Sequence, residues 1–196
     1  TTYEENKSIM IPSIEYIGAN AFDGCVGLKN CQLGDSLKTI GAQAFRNCIK
    51  LENIYLAESI TSIGRKALMG CVHLLFADVQ LKALVENYNS TTRPSEGIFY
   101  DCNSLTIVQW NDNITYIPND TFRNCNVLAD IRLSPQTTYI GQYAFYHNNF
   151  SKFVLPEDCK ELDDFAFAEC GGLGTINLSN VETIGNGVFT NCVKLE

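Results

Sequence analysis

Cysteine is the residue type whose number and spacing in this chain could support chemistry. The sequence contains nine cysteines and two histidines, His73 and His147. No two cysteines are separated by only two residues. In a periodic array they lie on successive turns of the chain instead of around one ion, which argues against a metal site. We expect neither a metal nor a cofactor. Seven of the cysteines recur in one register: Cys25, Cys48, Cys71, Cys102, Cys125, Cys170 and Cys192.

Two roles stay open for these thiols. Equivalent atoms on adjacent turns of a stack can come within disulfide range, so bridges between turns are geometrically possible. An odd number of cysteines leaves at least one thiol free, and free cysteine is among the most buried residue types. We therefore favour small buried hydrophobes, with disulfides between turns as the alternative. We assign no role to Cys31, at an apolar strand position, or to Cys159, at a turn position.

Groups that could support catalysis do not occur together. His147 has no carboxylate or serine at a fixed offset and is interpreted as a surface residue. The adjacent carboxylates Asp163 and Asp164 fall in a predicted turn, and the sequence has no glycine-rich phosphate loop. We expect no catalytic residues and no enzymatic activity.

The cysteines belong to a repeated unit that is clearest in residues 40–56. Aligned on its phenylalanine, the unit reads I-G-x-x-A-F-x-x-C-x-x-L-x-x-I-x-L. The intervals between successive copies are 23, 23, 31, 23, 23, 22 and 22 residues. Eight copies in register predict a stack in which each copy covers the apolar edges of its neighbours. The anchor positions of copies 1 to 8 are Phe22, Phe45, Leu68, Phe99, Phe122, Phe145, Phe167 and Phe189.

Each copy must supply the elements that hold these positions. The segment L-x-x-I-x-L ends with period two, which predicts a short strand with Ile54 and Leu56 inward and Asn53 and Tyr55 outward. Copies that stack in one direction pair these strands into a parallel sheet. We expect the A-F-x-x-C segment to form a short α-helical or 3-10 turn. Because a strand and a helical turn differ in width, the array should curve, with its sheet on the concave face and the helical turns on the convex face.

Residues 1–196 are expected to form one elongated domain of about eight repeats, most of them 22 or 23 residues long. An insertion at about 80–95 is predicted to begin as a short amphipathic helix and end as an exposed loop. It is interpreted as a surface excursion, with a binding loop as the alternative. The absence of an initial Met and the uncapped final copy suggest a fragment of a longer protein.

Composition limits the class of partner. The net charge is −8, the isoelectric point is about 4.8, and lysine and arginine are scattered singly. A nucleic-acid surface would need a basic patch, so we exclude nucleic acid as a partner. No run approaches the roughly 18 consecutive apolar residues that a membrane-spanning helix needs, so no membrane span is expected.

The consensus, carried best by residues 40–51, resembles that of the BspA-like leucine-rich repeat proteins, a class also described from Treponema. The resemblance covers the chain except for about the first dozen residues and the insertion. It implies a right-handed curved solenoid in a secreted or cell-surface protein that adheres to host proteins or to other microbes. It implies no shared catalytic residues. One departure is that proline follows the strand only at Pro135 and Pro156.

The outward strand positions are the candidate binding surface, because a concave parallel sheet offers a broad and rigid face. Their aromatic and arginine content is typical of interface anchors. We predict binding of a host extracellular-matrix or microbial surface protein there. The alternatives are a passive spacer that presents another domain and, for the fold, a parallel β-helix. The predicted ligand-binding residues are Tyr55, Phe76, Asp78, Ile107, Gln109 and Arg132.

Six N-x-S/T triplets would be glycan acceptors in a secreted eukaryotic protein. A glycan on Asn177 would obstruct the predicted concave face, which favours a bacterial origin. The triplets begin at Asn6, Asn89, Asn113, Asn119, Asn149 and Asn177.

Overall fold

The structure is a computed structural model that describes residues 8–80, 96–129 and 131–196. The predicted insertion falls largely on residues 81–95 and so lies outside the described residues, as does Asp130.

Fourteen short strands form in the described part of the chain, and all of their pairings are parallel. Five four-residue strands pair in the order β1-β3-β5-β7-β8, and we call this the long-strand sheet. Its strands are β1 (Ser8–Ile11), β3 (Asn30–Leu33), β5 (Asn53–Leu56), β7 (Phe76–Val79) and β8 (Ile107–Trp110).

The nine remaining strands have two residues each. A three-stranded sheet contains β2 (Tyr16–Ile17), β4 (Thr39–Ile40) and β6 (Ser62–Ile63). A four-stranded sheet contains β9 (Tyr116–Ile117), β10 (Tyr139–Ile140), β12 (Glu161–Leu162) and β14 (Thr183–Ile184). A two-stranded sheet pairs β11 (Lys152–Phe153) with β13 (Thr175–Ile176).

The predicted strand of each copy is shorter or missing after β8. In copy 1, Gly34 follows β3, and its N–H donates to the Ile11 carbonyl on β1 at 2.9 Å. Pro156 occupies the equivalent position after the Lys152–Leu155 segment. Because proline has no N–H, it removes this hydrogen bond and ends the pairing early.

The predicted α-helical or 3-10 turns are wrong, since the described residues contain no helix. The A-F-x-x-C segment instead forms successive turns with two left-handed residues, the second before and the second after each anchor. Around Phe45 these are Gln43 at φ 58° and Asn47 at φ 57°. The same pair occurs in all eight copies: Asn20/Gly24, Gln43/Asn47, Lys66/Gly70, Gly97/Asp101, Asp120/Asn124, Tyr143/His147, Phe165/Glu169 and Gly187/Asn191.

This geometry directs backbone hydrogen bonds to the neighbouring copy. The N–H groups of the anchor and of both left-handed residues donate to carbonyls of the next copy, as in Phe45 N–H to Ala67 at 2.8 Å and Asn47 N–H to Met69 at 2.8 Å. Three such bonds recur at every junction between the eight copies. A helix would have used these donors within its own turn. We call this set of hydrogen-bonded turns the turn ladder.

Stacked phenylalanine rings fill the core behind the turn ladder. Phe22 and Phe45 stack with ring centroids 5.0 Å apart and planes 6° apart. Leu68 then interrupts the stack, which resumes at Phe99 and continues to Phe189 with centroid separations of 5.3 to 5.9 Å. Trp110, predicted to fill the core, is half-buried and packs its ring edge-on against Phe122. Each copy therefore contributes one ring or leucine to a continuous apolar column.

All nine cysteines are free thiols, so the structure favours the packing role over disulfides between turns. From Cys48 onward, each cysteine of the register donates its S–H to the anchor carbonyl of the preceding copy, at 3.1 to 3.3 Å. Asn148 stands where the register lacks a cysteine, and its side-chain amide makes the same bond to Phe122 at 2.8 Å. The cysteines are thus buried donors to the turn ladder as well as apolar fillers.

The glycine of the I-G pair is required by close approach to the preceding copy. A Cβ on Gly64 would lie 2.2 Å from the Ala42 nitrogen, and one on Gly41 would lie 2.4 Å from the Ala19 nitrogen. Both contacts are with backbone, which cannot move aside without breaking the stack. At Gly18, in copy 1, the nearest atom is a Tyr16 ring carbon at 3.7 Å.

We therefore expect Gly64→Ala to lower the free energy of unfolding by about 1–3 kcal/mol or more, because the added methyl group must displace backbone. Gly18→Ala is the matched control and should leave stability within about 0.5 kcal/mol of the parent. Urea denaturation followed by circular dichroism measures both. Equal stability of the two variants would show that the copies can separate at no cost.

The buried thiols predict a pH dependence of stability. Burial raises the pKa of Cys48 to about 12 from its ordinary 9.0. Between these values the unfolded chain loses the thiol proton and the folded chain keeps it. Stability should therefore be unaffected below about pH 9 and fall above it, by about 1.4 kcal/mol per pH unit for each such thiol.

Cys48→Ala isolates this contribution from other groups that titrate in alkali. Its free energy of unfolding should fall less steeply than that of the parent as the pH rises from about 9 to 11. Denaturation curves at several pH values measure the two slopes. Identical slopes would contradict the raised pKa of this thiol.

Candidate functional site

The outward side chains of the long-strand sheet form two rows across neighbouring strands. Strand register places Asn53 beside Phe76 and Phe76 beside Ile107 in one row, and Tyr55 beside Asp78 in the other. Gln109 lies beside Asp78 at the end of the second row. Neighbouring strands of a sheet are about 4.8 Å apart, so adjacent side chains in a row can contact one ligand together.

These rows are accessible on the side away from the core. Tyr55 is 46% exposed and Ile107 is 51% exposed, while Phe76 and Asp78 are half-buried. Parallel sheets are normally covered on both faces. No helix of the described residues covers this face of the long-strand sheet.

Two clefts open along the sheet around Tyr55. The first, of about 470 Å³, is lined by Asn30, Tyr55, Phe76 and Asp78 among others. The second, of about 500 Å³, shares Tyr55 and Asp78 with it and reaches the turn that follows β5. Three strands, β3, β5 and β7, and the residues that follow them therefore contribute to one continuous depression.

Arg132 does not join this depression. It lies in residues 131–134, which form no strand, and lines a separate cleft of about 560 Å³ with Val154 and Glu157 among others. The structure thus places five of the six predicted ligand-binding residues on three adjacent strands and the sixth at another cleft. Their role in binding stays a prediction.

A cluster of aromatic and charged side chains on the turn ladder was not predicted from the sequence. The Arg123 guanidinium lies 5.4 Å from the ring centroid of Tyr100, 4.6 Å from that of Tyr143 and 4.9 Å from that of Tyr146, and it pairs with Asp120 at 3.0 Å. These residues stand just beside the anchors of copies 4, 5 and 6, so aligning the copies could have revealed them. Contacts of this kind hold adjacent copies together.

The residues considered for catalysis or metal binding have structural surroundings. The Tyr139 hydroxyl donates to Asp163 at 2.6 Å, and the Asn186 N–H donates to Asp164 at 2.6 Å. His147 is exposed, with its backbone in the turn ladder. Within residues 8–80, 96–129 and 131–196, no group of three metal-ligating side chains comes together.

Of the glycan triplets, the one at Asn119 lies in a buried position. Asn119 is only 4% exposed, and its side-chain carbonyl accepts a hydrogen bond from the Gln142 N–H at 3.0 Å. Attachment of a glycan there would require the turn ladder to open.

In the part of the chain that the structure describes, no helix is long and apolar enough to cross a membrane.

Comparison with solved structures identifies relatives among bacterial leucine-rich repeat proteins. A leucine-rich repeat protein from Bacteroides ovatus superposes with a TM-score of 0.84 at 27% identity, covering 97% of this chain and 48% of its own. A leucine rich cell surface protein from Faecalibacterium prausnitzii superposes with a TM-score of 0.70 at 23% identity, covering 90% of this chain and 48% of its own. The chain therefore spans about half the length of these two proteins.

A leucine-rich repeat protein from T. pallidum superposes with a TM-score of 0.59 at 25% identity, covering 97% of this chain and 78% of its own. No curated protein matches the chain. The matches to solved structures and to the family model show a leucine-rich repeat solenoid with parallel sheets, and they indicate no enzymatic family. A family model described as the BspA type leucine rich repeat region matches residues 2–91 and 92–196. The chain belongs to the BspA-type leucine-rich repeat family.

Proposed function

We propose that this chain is a non-enzymatic adhesion module of a secreted or cell-surface protein, and that the outward face of the long-strand sheet binds a protein ligand. The observation that carries the proposal is a face of a parallel sheet that no helix of the described residues covers. Five strands present two rows of side chains there, and the rows include exposed tyrosine and isoleucine.

The cleft geometry supports a site centred on Tyr55. A tyrosine offers a large contact area with few rotatable bonds, and such residues dominate the binding energy of many interfaces. Phe76 lies on the next strand and lines the same cleft. The ligand would be a host extracellular-matrix protein or a microbial surface protein.

The cell-surface part of the proposal has support in two findings. The chain belongs to a repeat family found in bacterial leucine-rich repeat proteins. The F. prausnitzii structure, which shares the fold, is described as a leucine rich cell surface protein. A passive spacer that presents another domain is the second candidate, since a regular stack can separate two domains without a ligand of its own.

The test is a binding screen of the chain against matrix proteins, plasma proteins and microbial surfaces. Tyr55→Ala and Arg132→Ala should be made separately, because the two residues line different clefts. We expect Tyr55→Ala to weaken a saturable interaction by about 2 kcal/mol or more, roughly thirtyfold in affinity, as for a hot-spot residue. Arg132→Ala should also weaken it if the ligand spans both clefts.

Matched controls are available on other faces. Tyr16→Ala removes a tyrosine that is 63% exposed on β2, outside the long-strand sheet. Arg65→Ala removes an exposed arginine beside the turn ladder. Both controls should bind as the parent does. Unchanged binding by Tyr55→Ala would exclude this face, and failure of the parent to bind any ligand in the screen would favour the spacer.

Deletion of residues 82–93 tests the remaining alternative, a binding loop in the insertion. If the sheet is the site, the deletion variant should keep its affinity within about a factor of two, because rim contacts contribute little. Thermal unfolding checks that the shortened chain is folded. Loss of binding in the deletion variant, with Tyr55→Ala still binding, would move the site to the insertion.

A further inference from the structure

The two clefts around Tyr55 share one chemical character. Asp35 and Asp78 line both of them, and Glu58 lines the second. Asp35 and Glu58 are exposed at the turns that follow β3 and β5, and Asp78 is half-buried on β7. We call this surface, made of Asp35, Tyr55, Glu58, Phe76 and Asp78, the acidic groove.

No lysine or arginine of the described residues lines either cleft. Lys29, which precedes β3, pairs instead with Glu52 at 3.2 Å. The carboxylate of Asp78 accepts a hydrogen bond from the Gln80 amide, which is neutral. Among the described residues, no cation that lines the groove offsets its three carboxylates.

The groove also contains aromatic and hydroxyl groups, which can bind a specific ligand and not only attract counterions. The rings of Tyr55 and Phe76 line the first cleft, and aromatic faces attract lysine and arginine groups as well as apolar side chains. Ser59 lines the second cleft, and its hydroxyl is buried without a hydrogen-bond partner among the described residues. Aromatic rings flanked by carboxylates complement a cationic side chain that lies next to an apolar one.

The cleft at Arg132 differs in its charges. Arg132 lies there together with Glu157 and Asp158, so both signs line the same depression. A cationic ligand would meet repulsion from the guanidinium as well as attraction from the carboxylates. The lining of the two clefts around Tyr55, unlike that of the cleft at Arg132, is thus complementary to positive charge.

We propose that the acidic groove selects its protein ligand by a cationic segment, in which lysine or arginine side chains flank an apolar residue seated against Tyr55 and Phe76. This inference rests on the proposed function and names the kind of partner for the same face. The carboxylates steer and select the segment, while the rings supply contact area. The partner is a basic segment of a protein and not a free polycation, because the apolar contact is part of the site.

The experiment uses two labelled synthetic peptides of equal length and apolar content, one with lysine and one with glutamate at the same alternating positions. The lysine peptide should bind and the glutamate peptide should not. Affinity should fall as salt is raised, because salt screens the exposed carboxylates. Equal binding of the two peptides, or binding that salt does not weaken, would overturn the proposal.

Three neutral substitutions test the groove directly: Asp35→Asn, Glu58→Gln and Asp78→Asn combined in one variant. Each keeps the size of the side chain, and the amide oxygen of Asn at position 78 can still accept from Gln80. The variant should unfold at the temperature of the parent and bind the lysine peptide about tenfold more weakly. Glu157→Gln with Asp158→Asn neutralises two carboxylates of the cleft at Arg132. This control variant should bind as the parent does.

Protein ligands from the screen separate this inference from the proposed function. If a ligand loses affinity in Tyr55→Ala and keeps it in the neutral triple variant, the sheet is the binding face and the cationic selection is wrong. If the ligand loses affinity in both variants and not in the control pair, both statements hold. If the lysine peptide binds the triple variant as tightly as the parent, the acidic groove does not select charge.

Discussion

The structure depends on hydrogen bonds that the turn ladder makes between copies. Three backbone N–H groups of each copy donate to the next one, because two residues beside each anchor take the left-handed conformation. Left-handed geometry is costly for residues other than glycine, asparagine and aspartate. The hydrogen bonds offset this cost, since each junction gains three of them and packs against the column of anchor side chains. The cysteine thiols and the Asn148 amide add a fourth donor to the same ladder.

The turn ladder leaves the opposite side of each copy free to vary. The ladder and the core hold the chain through backbone and buried side chains, so the outward positions of the long-strand sheet are not needed for stacking. They differ from strand to strand, from Asn53 to Phe76 to Ile107 in one row. A rigid backbone with variable outward positions is well suited to recognition. Because the backbone is already ordered, little conformational entropy is lost when the outward side chains bind a ligand.

Charge divides this variable face into regions. Carboxylates gather around Tyr55, whereas Arg132 shares its cleft with two acidic residues. The break in the sheet coincides with this division, since residues 131–134 form no strand and Pro156 ends the next pairing. On the turn ladder, Arg123 and three tyrosines bind to one another and tie copies 4 to 6. Aromatic and charged side chains thus stabilise the stack on the turn ladder, whereas on the face of the long-strand sheet they are exposed to a ligand.

The sequence by itself determined the period and the alternation of inward and outward positions on β5, β7 and β8, because hydrophobic alternation and a fixed repeat are local properties of the chain. It also indicated the family, through the spacing of its phenylalanine, cysteine and leucine. It did not show that Arg132 lies in a segment that forms no strand.

Only the tertiary structure decided the conformation of the A-F-x-x-C segment. The sequence pattern was interpreted as a helical turn, but the hydrogen bonds that decide the conformation join residues of different copies. Asparagine, aspartate and glycine two positions after the anchor, as at Asn47, Gly70 and Asp101, were the signal for left-handed turns. The separation of Arg132 from Tyr55 was likewise set by how copies pair, which no single repeat contains.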